Sequence, residues 1–204
     1  MNEKPEIVRR LVVVFDISSS TTILEDLKQL DKLQVWRDLL ISLKKFLLMY
    51  QFIHLELYKF MGDGWVLLLP EDTQKDVLLE FLDELAKAYF YYYPSTVVPI
   101  LQKDPRPVGL TVGIDAGELI KVEMNEQYEY LGRPINIASR LQGKAKSAKS
   151  KTEIFTNVAL FSRTTFNSLT PDKCDFPVSK STVDLKNITG GNKFHCFVVR
   201  LGNQ

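Results

Sequence analysis

Apolar positions along this chain change period several times, and each change marks a predicted element. Leu11 to Phe15 are bulky or β-branched and continuously apolar, the pattern of a buried central strand. Asp16 follows at its C-terminal end. The run Ser18, Ser19, Ser20, Thr21, Thr22 offers helix N-caps, and Thr22 with Glu25 fits a capping box. From Trp36 to Phe52 the apolar residues Trp36, Leu39, Leu40, Leu43 and Leu47 recur at helical spacing. His54 to Phe60 alternates instead, Met61-Gly62-Asp63-Gly64 follows, and Trp65 to Leu69 is apolar again. Two strands joined by a glycine-bearing turn predict a hairpin with Asp63 in the turn.

Glu71 to Tyr91 returns to helical spacing, with Val77, Leu78, Phe81, Leu82 and Leu85 as the buried stripe. Its aromatic end, Tyr89 to Tyr93, reads as core or interface packing. Val97 to Pro107 holds three prolines and predicts a loop. Val108 to Ala116 reads as a strand broken by Gly117, with Glu118 to Met124 as its hairpin partner and Asn125 to Tyr130 as a polar excursion. Gly132 to Lys146 reads as loop, then helix. A strand near Glu153 to Phe155, a short helix, and strands near Val183 to Leu185 and Phe194 to Val199 complete the pattern. No repeat and no linker interrupts it. The expectation is a single α+β domain over residues 1–204, a ferredoxin-like core with flanking helices and extra strands, one sheet face covered by helices.

Composition narrows the classes of function. The 204 residues are 45% hydrophobic, enough for one solid core. Lys plus Arg is 26 against 25 acidic residues, a formal net charge of +1, so no basic excess points to nucleic acid. The densest basic run, Lys144 to Lys151, fits the solvated end of a helix. Cys174, Cys196, His54 and His195 are not at metal-ligand spacing. The apolar runs are too short for a signal peptide or a membrane span, so the expectation is a cytoplasmic protein.

The two acids in special local settings carry the candidate chemistry. Asp16 ends a buried strand and Asp63 sits between two glycines. In a ferredoxin-like core the first strand and the hairpin are neighbours, so both carboxylates reach one point at the sheet edge. Close carboxylates repel, and Mg2+ or Mn2+ removes that cost. Two ions held this way activate an attacking oxygen and neutralise a leaving pyrophosphate. The backbone N–H groups of Ser18, Ser19, Ser20 and Thr21 at a helix start form a natural phosphate cradle. A helix cap at Asp16 and an ordinary turn residue at Asp63 account for the same spacing, as does a polymerase-like palm.

Four segments in order resemble the catalytic domain of the class III nucleotidyl cyclases, the adenylate and guanylate cyclase family. They are FDISSSTT (Phe15 to Thr22), KFMGDG (Lys59 to Gly64), VGLTVGIDAGELI (Val108 to Ile120) and YEYLGRPINIASRL (Tyr128 to Leu141). The resemblance runs from Arg9 to about Val199. It implies two metal ions, Mg2+ or Mn2+, in each active site, held by Asp16, Asp63 and the Ile17 carbonyl. It implies that Asn136 orients the ribose and Arg140 stabilises charge on the α-phosphate, where an in-line attack of the 3′-hydroxyl expels pyrophosphate. A polar, solvent-facing i, i+4 pair is the plainer account of Asn136 and Arg140. The resemblance also implies a homodimer with composite sites, Asp16, Asp63 and Lys59 from one protomer, Glu129, Asn136 and Arg140 from the other. A catalytically silent domain that binds nucleotide or a partner is the other class of function.

Departures from the family bear on the base. Lys59 matches the lysine of adenylate cyclases, but Glu129 stands where they carry aspartate or threonine, and the glutamate–cysteine pair of guanylate cyclases is absent. Glu129 suits the amino group of adenine or cytosine, Lys59 a carbonyl of uracil, and Tyr58 and Tyr130 narrow the pocket if their rings point inward. The family's triphosphate lysine aligns with Ile188 in VDLKNITGG, leaving Lys144, Lys146 or Lys193 as substitutes. Without a sensor, receiver or membrane domain the chain resembles the stand-alone pyrimidine cyclases of bacterial anti-phage signalling, whose cyclic UMP or cyclic CMP is read by a separate effector. An ordinary adenylate cyclase using ATP is the alternative.

Overall fold

The computed structural model describes residues 4–148, 156–170 and 175–202. Its strands and helices run β1 (Glu6–Ile17), α1 (Ser20–Gln29), α2 (Leu33–Met49), β2 (Glu56–Phe60), β3 (Gly64–Pro70), α3 (Lys75–Tyr92), β4 (Leu110–Met124), β5 (Gln127–Leu131), α4 (Arg133–Ala145), β6 (Asn157–Ser162), α5 (Arg163–Ser168), β7 (Val178–Val183) and β8 (Phe194–Leu201). The sheet order is β2-β3-β1-β4-β6-β8-β7, with β5 paired to β4. Its first four strands, all antiparallel, are the ferredoxin-like core expected from the sequence.

β1 is central, so it is buried on both faces, and alternation then sorts its residues. Leu11, Val13, Phe15 and Ile17 pack with α1, α2 and α3 in the main core. Val12 and Val14 face the other way, against Val66, Leu68 and Ala138 of α4. The second face carries α4, in addition to the helix-covered face expected from the sequence. Gly113 makes this possible, because a Cβ there would stand 2.0 Å from the Ala138 carbonyl oxygen. Asp16, of the same parity as Val12 and Val14, belongs to the α4 face.

Several expected boundaries move. Asp16 is the penultimate residue of β1, paired with Gly64 and Thr111, so the strand runs one residue past it. α1 begins at Ser20 behind Ser19, whose φ of 62° is left-handed, and no side-chain cap forms, so the Thr22–Glu25 capping box is absent. β4 continues through Gly117. Its hairpin partner is β5, reached over Asn125 and Glu126, whose φ values of 52° and 64° make a two-residue hairpin turn without glycine. The polar excursion is thus a turn and a strand. The strand placed near Val183 to Leu185 lies earlier, as β7. The one placed at Glu153 to Phe155 falls outside the described residues, as does Cys174. No helix of the described residues is long and apolar enough to cross a membrane.

Candidate active site

The carboxylate pair is assembled by the sheet itself. Asp16 pairs with Gly64 across β1 and β3, and a Cβ at Gly64 would lie 1.9 Å from the Phe15 carbonyl oxygen. Glycine therefore lets the turn close against β1. Met61 N–H donates to the Gly64 carbonyl at 2.9 Å, and Ile17 N–H donates to the Asp63 carbonyl at 3.2 Å. The Asp63 carboxyl receives the Ser20 hydroxyl and lies in hydrogen-bonding range of the Asp16 carboxyl.

Asp16 is 7% exposed. Burial first, then the hydrogen bond and charge of Asp63, push its pKa up to about 6, against the pull of Lys146. A buried carboxylate held beside another is a site short of positive charge. The donor set is all hard oxygen, which fits Mg2+ or Mn2+.

Gln142, which the sequence does not single out, and Lys146, expected there only as a substitute triphosphate cation, complete this end of the site. Gln142 Nε2 donates to Asp16 Oδ2 at 3.3 Å and to Thr111 Oγ1 at 2.7 Å, and Lys146 Nζ stands 2.8 Å from the same Asp16 oxygen. Their i, i+4 spacing puts them on one helix side, the one signal in the sequence that joins them.

The serine run is only partly free. Ser18 N–H donates to the Gly109 carbonyl at 2.9 Å, and the Ser18 hydroxyl is buried with no hydrogen-bond partner among the described residues. Ser18 therefore leaves the predicted phosphate cradle as a backbone donor. Ser19 Oγ donates to the Pro107 carbonyl at 3.1 Å. Ser19, Ser20 and Thr21 remain at the opening of α1.

The base-recognition set gathers on the same sheet face. A bulge in β2 shifts its register between Leu57 and Lys59, so that Tyr58 and Lys59 both turn toward β5. Tyr58 Oη donates to Glu129 Oε2 at 2.5 Å and accepts from Tyr130 N–H at 3.0 Å. Lys59 Nζ lies 3.6 Å from Glu129. The Tyr58 hydrogen bond, foremost, holds the Glu129 carboxyl below its ordinary pKa, and the Lys59 charge adds to this. The rings of Tyr58 and Tyr130 meet edge to face at 5.1 Å. Lys59 and Glu129 thus stand together in one chain, which corrects their expected assignment to different protomers.

Asn136 and Arg140 are exposed, on the side of α4 opposite Ala138, Leu141 and Ala145. They point away from the sheet that carries Asp16.

No family model matches the chain, and no curated protein does. Solved structures do. A bacterial light-regulated adenylyl cyclase superposes at a TM-score of 0.72 with 13% identity over 97% of this chain and 52% of that one, so the chain spans about half its length. The adenylyl cyclase CyaB from P. aeruginosa gives 0.68 and 18% over 98% and 97%, and the guanylyl cyclase Cya2 gives 0.67 and 18% over 98% and 93%. The fold is that of the nucleotidyl cyclases.

Proposed function

We propose that the chain is a nucleotidyl cyclase, converting a nucleoside triphosphate to a 3′,5′-cyclic monophosphate and pyrophosphate. The observation that carries this is the convergence of Asp16 and Asp63 at the opening of α1, on the cyclase fold. Asp16, Asp63 and the Ile17 carbonyl would hold the two ions. When bound, these supply Lewis-acid charge for an in-line displacement. The 3′-hydroxyl releases its proton to solvent, the bond from its oxygen to the α-phosphorus forms, the bond from the α-phosphorus to the bridging oxygen breaks, and pyrophosphate leaves with that oxygen. Ser19, Ser20 and Thr21 offer N–H groups to the phosphates. Arg140 meets charge developing on the α-phosphate and Asn136 holds the ribose. Because these two face away from Asp16 in their own chain, they act on the carboxylate pair of a second copy. The active assembly is then a homodimer with composite sites, each completed by Lys59, Glu129, Asn136 and Arg140 from one chain.

For the base we favour a pyrimidine, UTP or CTP. The support is Tyr58, whose hydroxyl already occupies one side of the Glu129 carboxylate. This reading brings with it the anti-phage setting that the resemblance implies, the product passing to a separate effector. ATP is the second reading, favoured by the Lys59–Glu129 pair. Incubation with Mn2+ and each of the four ribonucleoside triphosphates, with products separated by mass, tests both. Cyclic UMP or cyclic CMP is the expected product. Cyclic AMP alone would overturn the pyrimidine reading, and no cyclic product from any triphosphate would favour a silent nucleotide-binding domain.

A further inference from the structure

Lys146 opens the short turn that follows α4, and its ammonium is 2.8 Å from Asp16 Oδ2. The two partners differ sharply in freedom. The Lys146 side chain is 53% exposed and the Asp16 side chain 11%. Gln142, one turn earlier, is buried and tied to both Asp16 and Thr111. Asp16 therefore has one fixed neutral donor and one cation on a flexible four-carbon stem. A single positive charge beside two carboxylates leaves the site with net negative charge, which a divalent ion neutralises better. Divalent ions and Lys146 thus compete for the same oxygen.

A displaced ammonium needs a new anion. On the cyclase reading, the anion beside a loaded Asp16–Asp63 pair is the polyphosphate tail of the substrate. On the sequence resemblance, the family's triphosphate lysine aligns with Ile188, which packs against the apolar cluster of Leu141, Leu160 and Leu185. Of the other candidates, Lys193 sits in a turn whose N–H is bound to Asp184, and neither it nor Lys144 pairs with Asp16 among the described residues.

We propose that Lys146 is a two-position cation, the counter-ion of Asp16 in the metal-free chain and a ligand of the nucleotide's polyphosphate once divalent ions hold the carboxylate pair. This rests on the cyclase reading for its second position and on contact geometry alone for its first.

The test uses the full chain and its Lys146→Met and Lys146→Gln variants, each checked for native helix content by circular dichroism. Mn2+ is titrated alone by calorimetry, then pyrophosphate at saturating Mn2+. Removing the competing ammonium should tighten Mn2+ binding several-fold, while pyrophosphate binding should weaken by about tenfold, the order of one charge-assisted contact. Lys146→Arg should restore pyrophosphate binding in part. Mn2+ affinity that is unchanged or weaker would overturn the first position, since a merely structural lysine would not compete. Tighter Mn2+ with unchanged pyrophosphate binding would overturn the second. Neither readout needs turnover, so a chain that cyclises nothing would sink the cyclase reading while the Mn2+ titration still decides the role of Lys146 at Asp16.

Discussion

The two ends of α4 meet opposite conditions. Near its C-terminus, Gln142 and the following Lys146 reach into the sheet and satisfy Asp16 within the chain. Nearer its N-terminus, Asn136 and Arg140 stand exposed on the helix's outer side. One helix thus finishes one half of a site and displays parts of another. Gln142, which serves its own chain, is buried and anchored, whereas Asn136 and Arg140, which would serve a partner, are left in solvent until the partner arrives. On the proposed function, that difference sorts the candidate residues into the half a monomer completes and the half it donates.

The largest effect should come from the completed half. Asp63→Ala removes a carboxylate from the ion pair's donor set and should lower cyclisation by roughly 10³-fold or more, because metal charge supplies several kcal/mol to the transition state. The thermal melting point should stay near that of the unaltered chain, since Asp63 is a half-buried turn residue outside the apolar core. Unchanged turnover would remove Asp63 from the chemistry.

The comparison itself is tested by mixing. Asp63→Ala and Arg140→Ala chains should each be inactive alone. In a mixed dimer one site keeps both an intact carboxylate pair and an intact arginine, so random pairing should restore roughly a quarter of full activity. Mixed dimers shown to form by mass spectrometry, yet without activity, would mean that Asp63 and Arg140 do not meet across a subunit boundary.

Much of the completed half is legible in the sequence because its residues announce themselves locally. Asp16 borders a run of β-branched residues, and Asp63 lies between glycines. What stayed hidden depends on tertiary approach or on a broken register. The Gln142 and Lys146 contacts exist because α4 crosses β4 at Gly113, which no local pattern reports. Strict alternation in β2 would put Tyr58 and Lys59 on opposite faces, and the bulge turns both toward Glu129. β5 was concealed because its turn uses Asn125 and Glu126 in place of glycine. Thr22–Glu25 only imitates a capping box, since α1 already opens at Ser20, whose hydroxyl goes to Asp63.

A smaller effect is expected at the base. Tyr58→Ala opens the space beside Glu129 and removes the hydroxyl bonded to it. The ratio of kcat/KM for UTP or CTP over ATP should fall by about tenfold, the scale of a shape change in a pocket, with Tyr58→Phe changing it less. An unmoved ratio in both variants would take Tyr58 out of base selection.

The smallest effect lies away from the site and concerns stability alone. Asp115 is 6% exposed, where β4 meets the β6–α5 corner. The Ser162 hydroxyl and Thr165 Oγ1, the latter at 3.0 Å, both donate to its Oδ1. Burial raises its pKa despite those hydrogen bonds. A carboxyl raised on folding binds its proton more tightly in the native state, so its favourable contribution is present at low pH. That contribution is lost as the pH climbs from the ordinary carboxylate range through the folded value. Asp115→Asn cannot ionise and should lack this fall. Its melting point, relative to that of the unaltered chain, should therefore rise between pH 4 and pH 8 when both are measured without divalent ions. A parallel pH profile for the two chains would show that Asp115 enters the folded state at no ionisation cost, its charge carried by the two hydroxyl donors and the attraction of Arg133.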